Sequence, residues 1–313
     1  MSAPKLASVS CDLDEIYNYC AIHDLNIESL PRESVHLVYD LALGRLAAWA
    51  DKHAIPLTLF AVGADMRRDA AAAALRRAHA LGHEIANHSY GHRYDFSRLP
   101  EDEMRREVVR GRAAIAEAVG EAPVGFRAPG YIVNDRVFEV LAGEGVLYDA
   151  SVFPCGPYYA AKAAVMGAMR LGGRESRSIL GAPDVLLAPR QPYRAGRPYT
   201  RRGAGLPELP VHVLPWSRLP FIGTTLTLAG PRRAAWLTRQ TTDDPYVNLE
   251  LHGMDLLESA DGLETLASKQ HDLRITLEQK LASLDAVVHE LKSAGYTFVT
   301  MRDAVPHVLR ESA

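Results

Sequence analysis

Strand-forming and helix-forming segments alternate along most of the chain. Short apolar segments rich in β-branched residues predict strands at 5–11, 56–62, 83–86, 124–127, 247–251 and 297–301. Helical spacing of apolar residues predicts helices at 33–53, 70–81, 100–119, 135–142 and 272–294, whereas 12–26 is polar and irregular. Because this alternation produces a parallel sheet covered by helices, and about seven repeats fit in one chain, we expect an α/β fold, a distorted or incomplete (β/α)7-8 barrel.

The segment 153–235 breaks this alternation, because it is rich in proline and arginine and poor in acidic residues. We expect a single domain over 1–313 in which 153–235 is a loop-rich insertion with a few extra strands. The alternative is a cap, in which the apolar segments 214–216 and 219–222 contact a lipid and arginines pair with an anionic substrate. These arginines are Arg174, Arg177, Arg194, Arg197, Arg201 and Arg202.

Composition and charge exclude several classes of protein. The formal net charge of −3 argues against a surface committed to nucleic acid, so no nucleic-acid partner is expected. The N-terminal residues reach acidic positions before any apolar run of a secretory signal, and no run of 18 apolar residues predicts a transmembrane helix. The three cysteines lack zinc-site spacing, which favours free thiols. A cytoplasmic protein is expected, and peripheral attachment to the inner membrane face is the alternative.

Two histidines have the spacing of a metal site. His88 and His92 are four residues apart, which would place both imidazoles on one side of a helical turn, as a divalent metal requires. Alone this signal is weak, because 12 histidines in 313 residues give about 0.5 such pairs by chance. His79 and His83 form a second pair of this kind, at a predicted helix end.

Further candidate residues follow other predicted strands. They are Asp12 and Asp14 after the first strand, Arg127 at the end of the fourth, Asp149, and His252 after 247–251. Taken singly, each has a structural interpretation, such as a strand-end turn for the acids, a surface arginine or a core histidine. Since the carboxyl ends of barrel strands share one face, where barrel active sites form, we expect these side chains to meet in one site.

The residues in these positions resemble the polysaccharide deacetylases, also called the NodB-homology or carbohydrate esterase family 4 group. The resemblance spans most of the chain and rests on four motifs in the family's order. They are the acidic motif at 10–14, His-Ser-x-x-His at 88–92, Arg-x-Pro-x-Tyr at 127–131 and Leu-x-x-His at 249–252.

The resemblance implies a metal site and a general base. One aspartate and both histidines of these motifs bind a divalent metal in the family, and the other aspartate is the base. Asp14, His88 and His92 would thus be ligands and Asp12 the base. Zn²⁺ is the expected metal, and Co²⁺, Ni²⁺ and Mn²⁺ are alternatives. Because the family usually has adjacent aspartates and this chain has Asp-Leu-Asp, the two aspartates could exchange roles.

The remaining motifs imply the other catalytic roles. Arg127 would orient the base, and His252, protonated, would give a proton to the leaving amine. The backbone N–H of Tyr131, presented by the turn at Pro129, would stabilise the oxyanion. The family's fourth motif is only half recognisable around Asp149, which would orient His252 unless a neighbour in the insertion replaces it.

The expected activity is hydrolysis of an N-acyl group, acetyl in the first instance, from an amino sugar or sugar conjugate. The spaced acidic motif looks like that of the lipid-linked formamidoarabinose deformylases, so the alternative substrate is a polyprenyl-phosphate-linked sugar. A ureide amidohydrolase and a catalytically silent carbohydrate-binding barrel are further alternatives, since fold does not fix function.

Overall fold

A nine-stranded, mostly parallel sheet forms the centre of the molecule. A computed structural model describes residues 4–173 and 176–309. Its strands are β1 Leu6–Asp12, β2 Leu57–Ala61, β3 Glu84–Asn87, β4 Gly125–Phe126, β5 Tyr148–Asp149, β6 Tyr193–Ala195, β7 Arg202–Glu208, β8 Tyr246–His252 and β9 Thr297–Phe298. Their order is β6-β7-β5-β4-β3-β2-β1-β8, with β9 paired to the start of β1. Among the strands that the structure describes, only β6 and β7 pair antiparallel.

The sheet curls without closing into a regular barrel. Strands β6 and β8 lie at the two opposite edges of the sheet and do not pair with each other. The gap next to β8 is bridged by the chain after β7, through single pairings of Val213 with Pro220 and of Ile222 with Glu250. The predicted α/β fold, a distorted and incomplete (β/α) barrel, is confirmed.

Helices cover the outside of the sheet. They are α1 Ile16–Ile22, α2 Leu43–Lys52, α3 Asp69–Ala80, α4 Glu101–Val119, α5 Asp135–Gly143, α6 Gly156–Leu171, α7 Gly223–Ala229, α8 Pro231–Arg239, α9 Glu264–Ala267, α10 Leu277–Ser293 and α11 Met301–Val308. Local sequence sets their ends: α4 begins with three acidic residues near its positive dipole end and stops at Gly120, whose φ is 86°. Among the described residues, none of these helices has both the length and the apolar character needed to cross a bilayer.

Three predicted elements differ from the structure. The supposed loop at 12–26 contains α1, because Ile16, Tyr19 and Cys20 are buried at helical spacing. The helix predicted at 33–53 starts as a π-helical turn, Val38–Ala42, before α2. The last long helix begins at Leu277 rather than at 272, because the Thr276 side chain caps it by accepting a hydrogen bond from the Gln279 N–H.

The main core lies between the sheet and the helices. Strand β1 is buried along its whole length, as expected for a central parallel strand covered on both faces. The described part of the segment 153–235 contains α6, α7, β6, β7 and the first half of α8. That this segment is a loop-rich insertion or a cap within a single domain remains a prediction.

Candidate active site

The ends of the parallel strands bring the predicted residues together. β1 and β8 pair along seven residues, and the last pair in this register is Asp12 with His252. One carboxylate oxygen of Asp12, one of Glu250 and one ring nitrogen of His252 lie within 4.8 Å of one another. Arg127, just beyond β4, reaches Asp12 from the opposite side. The expected convergence at one edge of the sheet is therefore present in the structure.

Asp14, His88 and His92 form a buried group suited to a metal ion. The Asp14 Oδ1 atom lies 3.2 Å from His88 Nε2 and 3.1 Å from His92 Nε2. All three residues are at most 6% exposed, and these three atoms have no hydrogen-bond partner among the described residues. Buried polar atoms without partners are costly, so their convergence fits a divalent cation bound by one carboxylate and two imidazoles.

The electrostatics of this group agree with a ligand set. Burial opposes ionisation of Asp14, yet the adjacent His92 and His88 hold the pKa of its carboxyl well below the usual range. Burial would lower the pKa of His88, but the Asp12 and Asp14 carboxylates raise it overall. A site with this charge distribution attracts a cation that would displace the histidine protons.

A backbone contact fixes the orientation of His88. Its Nδ1 lies 2.7 Å from the Arg127 carbonyl oxygen, which can only accept a hydrogen bond. The Nδ1 atom is therefore the protonated one in the neutral ring, and the Nε2 lone pair faces Asp14 and His92. Metal-binding histidines commonly have such a partner on the second ring nitrogen.

The segment between the two histidines is not helical, which corrects our expectation. Ser89 and His92 have φ values of 64° and 48°, in the left-handed region. The turn is held by the His92 N–H, which donates to Ser89 Oγ at 3.1 Å. The two rings nevertheless converge, with centroids 4.8 Å apart. Left-handed residues other than glycine cost energy and cluster at functional sites, which is consistent with a ligand-positioning turn.

Asp12 has a different environment from Asp14. The fully buried Arg127 donates from Nη1 to Asp12 Oδ1 at 2.6 Å, from Nη2 to Ser10 Oγ at 3.0 Å and from Nε to the Ala150 carbonyl at 2.9 Å. The second oxygen of Asp12, Oδ2, faces the histidine pair, 3.7 Å from His88 Nε2. One oxygen of Asp12 is thus fixed by a charge-assisted hydrogen bond, and the other is directed toward Asp14, His88 and His92, which we call the metal group.

Glu250 is a site residue that the sequence reasoning missed. Its carboxylate lies 3.0 Å from His252 Nδ1 and is fully buried. Burial would lower the pKa of His252, but the Glu250 carboxylate raises it well above the usual value. A usable signal was present, since in a strand every second side chain shares a face and Glu250 therefore points to the same side as His252.

Asp149 makes other contacts than the sequence predicted. Asp149 accepts a hydrogen bond from Ser151 Oγ at 2.7 Å and pairs with Glu208, and burial raises the pKa of both carboxyls. Its described hydrogen bonds and ion pairs do not include His252, whose carboxylate partner is Glu250.

The Tyr131 N–H is already engaged, which corrects the proposed oxyanion contact. It donates to the Ala128 carbonyl at 3.1 Å, within a short turn that contains Pro129. A backbone donor used inside a turn is not free to bind an oxyanion. The Tyr131 hydroxyl instead lies 3.3 Å from His252 Nε2 and, like Pro129, the residue is buried.

We expect Glu250→Gln to move the alkaline limb of the pH profile of kcat/KM to lower pH. Because Glu250 raises the pKa of His252, its removal lets the imidazole lose its proton at lower pH. Loss of such a positioning contact typically lowers activity about 10- to 100-fold. Glu139→Gln, at an exposed glutamate of α5, is the matched control and should leave the profile unchanged. An unshifted alkaline limb in Glu250→Gln would contradict this role.

A cavity of about 580 Å³ opens beside Asp12, Asp14 and His252, and its walls are largely apolar. None of the predicted anion-binding arginines that the structure describes lines it. Arg177 borders a separate cavity near His92, and the others lie on or next to the β6–β7 hairpin. Arg174 lies outside the described residues. Of the apolar segments expected to contact a lipid, 219–222 contributes to the wall.

Comparison with known families agrees with this geometry. Residues 32–148 match the family model described as polysaccharide deacetylase. The predicted resemblance to the polysaccharide deacetylases is confirmed. The matched segment includes both histidines and Arg127 of the polysaccharide deacetylase motifs, whereas Asp12, Asp14 and His252 lie outside it. Their assignment depends on the distances given above. A search of curated proteins gives no significant match.

Solved structures support the polysaccharide deacetylase fold. A Mycobacterium smegmatis protein described as a polysaccharide deacetylase is similar over 98% of this chain and 93% of its own, with 20% identity and a TM-score of 0.62. One from Pseudomonas aeruginosa PAO1, described in the same way, is similar over 99% and 92%, with 16% identity and a TM-score of 0.60. A carbohydrate esterase family 4 pseudoenzyme from Bacillus anthracis is similar over 96% and 66%, with 12% identity and a TM-score of 0.50. At these identities the similarity concerns the fold.

Proposed function

We propose that this chain is a metal-dependent hydrolase that removes an N-acyl group, acetyl in the first instance, from an amino sugar or sugar conjugate. The observation that carries the proposal is the convergence of unpartnered Asp14, His88 and His92 atoms beside Asp12 and His252. A ligand set, a base and an acid within one buried group are the parts that amide hydrolysis requires.

Asp14, His88 and His92 would hold the metal. A bound divalent ion supplies Lewis acidity for the amide carbonyl and lowers the pKa of bound water. Zn²⁺ suits two imidazoles and one carboxylate, and Co²⁺, Ni²⁺ and Mn²⁺ are accommodated by the same donors.

Asp12 is placed to act as the base. Its Oδ2 accepts a proton from the water molecule that attacks the acyl carbon, while Arg127 holds Oδ1 and prevents the carboxylate from turning away. Arg127 is itself held by Ser10 and the Ala150 carbonyl, so the orientation of Asp12 is fixed before substrate binds.

His252 is placed to act as the acid. Glu250 on Nδ1 favours the protonated ring, and Nε2 then carries the proton that the amine nitrogen receives as the C–N bond breaks. The Tyr131 hydroxyl, 3.3 Å from Nε2, is an additional polar group at that nitrogen.

Other activities on this fold are less well supported. The polyprenyl-phosphate-linked deformylase uses the same chemistry, and release of formate rather than acetate distinguishes it. A ureide amidohydrolase without metal would not need the three converging donors. A silent carbohydrate-binding barrel has a precedent in fold, given the similarity to a pseudoenzyme, but Asp12 and His252 are residue types suited to the proposed base and acid.

We expect His88→Ala to abolish metal binding and hydrolysis of N-acylated amino sugars. Replacing a ligand that is 1% exposed leaves two donors, too few for stable binding of a divalent ion. Acetate and formate release, together with metal content per chain, provide the measurement. His79→Ala is the matched control, since His79 belongs to the other pair at this spacing and its Nε2 lies 3.6 Å from the Glu121 carboxylate.

The wild-type protein should lose activity on chelation and regain it with Zn²⁺ or Co²⁺. Undiminished hydrolysis by His88→Ala, or by chelated protein, would refute the proposal.

A further inference from the structure

The proposed reaction benefits from a hydrogen-bond donor at the acyl oxygen, which the Tyr131 backbone does not supply. As water attacks the acyl carbon, negative charge develops on this oxygen, and a preorganised donor beside it lowers the barrier. The Tyr131 N–H already donates to the Ala128 carbonyl at 3.1 Å, and the Tyr131 hydroxyl lies 3.3 Å from His252 Nε2. A donor from the chain would therefore belong to another residue that lines the cavity.

The Tyr19 side chain brings a hydroxyl without a partner to this cavity. Tyr19 lies in α1, which follows β1 closely, and lines the cavity together with Asp12, Asp14 and His252. The residue is 7% exposed, and its hydroxyl oxygen has no hydrogen-bond partner among the residues that the structure describes. Burying a hydroxyl without a partner costs free energy, which a bound molecule that accepts a hydrogen bond from it would recover.

Tyr19 lies beside the proposed acid and the metal group. Its ring meets the His252 ring edge to face, with centroids 6.5 Å apart. Burial raises the pKa of its hydroxyl well above the usual value, and the Asp14 carboxylate raises it further. The hydroxyl therefore keeps its proton at neutral pH and can donate a hydrogen bond.

Helix α1 holds Tyr19 in place before any ligand binds. Ile16 and Cys20, on the same helix, are buried in the main core, and the His23 N–H donates to the Tyr19 carbonyl at 3.1 Å. A donor fixed in this way needs no reorganisation when charge develops on its acceptor.

We propose that the Tyr19 hydroxyl donates a hydrogen bond to the acyl oxygen of the substrate and stabilises the charge that develops there when water attacks. The inference rests on the proposed function, because this oxygen belongs to the N-acyl group that is hydrolysed. The O–H bond of Tyr19 stays intact, and the negative charge is lost when the carbonyl re-forms as the C–N bond breaks. Tyr19 is then a catalytic residue that comes from a helix and not from a strand end.

Tyr19→Phe removes the hydroxyl and keeps the ring, and its first readout is hydrolysis of chitotetraose. We expect kcat to fall about 100- to 1000-fold, the usual cost of losing one oxyanion donor, while KM changes far less. Metal per chain should be unchanged. The melting temperature should not fall, because the lost hydroxyl has no partner in the free protein. Tyr39→Phe, at a tyrosine that is 2% exposed and lies outside the cavity, is the matched control.

The second readout measures binding and needs no turnover. Methylphosphonate is the probe, because its tetrahedral phosphorus carries a methyl group and anionic oxygens, as the attacked acetyl carbon does. Titrated by calorimetry into Zn²⁺-loaded protein, it should bind Tyr19→Phe at least about 10-fold more weakly than wild type, as expected for losing a hydrogen bond to a charged oxygen. Tyr39→Phe should bind it like wild type.

Equal affinity of wild type and Tyr19→Phe for methylphosphonate, including no binding by either, overturns the proposal. A fall in kcat that matches a loss of bound metal also overturns it, because Tyr19 would then support the metal group and not the acyl oxygen.

The proposed function fails separately in this design. Wild-type protein that binds methylphosphonate through Tyr19 but hydrolyses no N-acylated amino sugar refutes the function alone. Protein that releases acetate with the same kcat in wild type and Tyr19→Phe refutes the role of Tyr19 alone.

Discussion

Asp12→Asn is expected to lower turnover about 1000-fold while leaving the metal content unchanged, because loss of a general base typically costs between 100- and 10,000-fold. The physical reason is the separation of roles between the two aspartates. Asp12 is paired with Arg127 at 2.6 Å, whereas Asp14 lies 3.1 to 3.2 Å from both histidine nitrogens. An asparagine can still accept the hydrogen bond from Arg127, so the fold and the metal group should persist.

Asp14→Asn is the informative partner of this variant. We expect it to lose metal as well as activity, because a neutral amide is a poorer ligand than a carboxylate between two imidazoles. Acetate release and metal per chain are measured for both variants, with circular dichroism as the check on folding. If Asp12→Asn loses the metal and Asp14→Asn keeps it, the roles are exchanged. Full activity of Asp12→Asn would remove the base from the mechanism.

Arg127→Met is expected to lower the free energy of unfolding by about 3 to 5 kcal/mol, the range for breaking a buried ion pair by removing one partner. Both side chains of the pair are at most 2% exposed, so Asp12 would be left buried without its donor. The Ser10 hydroxyl and Ala150 carbonyl would lose a partner too. Urea denaturation monitored by circular dichroism measures the change.

Two controls make the stability prediction specific. Arg197→Met removes an 80% exposed arginine that pairs with Glu139, and such surface pairs contribute at most about 1 kcal/mol. The double variant Arg127→Met with Asp12→Asn should recover part of the loss, because the unpaired charge is gone. A change below about 1 kcal/mol in Arg127→Met would show that Asp12 finds another partner or a proton.

The sequence was sufficient to predict where the site forms. Asp12, Arg127 and His252 each follow a predicted strand, and parallel strands end at one edge, so their convergence follows from the topology. Periodicity of apolar residues was equally informative for α3, α4 and α5, whose bounds differ by at most one residue from those predicted.

Local geometry was harder to predict. The spacing of His88 and His92 suits a helical turn, but a turn with left-handed residues at Ser89 and His92 also brings the two rings together. Spacing alone cannot distinguish a helical turn from such a non-helical turn, because both bring residues four positions apart close together in space. The Ser-Tyr-Gly segment between the histidines was the available indication of a turn.

Long-range pairing explains the remaining differences. Asp149 pairs with Glu208. The β5–β7 register places the two residues side by side, although α6 and β6 lie between them in the sequence. No local pattern indicates that two strands separated by more than fifty residues are neighbours. Glu250 could have been recognised from strand alternation, whereas the position of Asp12 opposite His252 depends on the register between β1 and β8.

The register of β1 and β8 has a consequence for how such a site can change. Asp12 and His252 are opposite each other in adjacent strands, so the distance between their backbones is set by the interstrand spacing of about 4.8 Å and is retained as long as the two strands pair. Asp14 and His92 lie on loops beyond the strand ends. Under the proposed function, substitutions in those loops would alter which ion is preferred, while the backbones of the proposed base and acid keep their spacing.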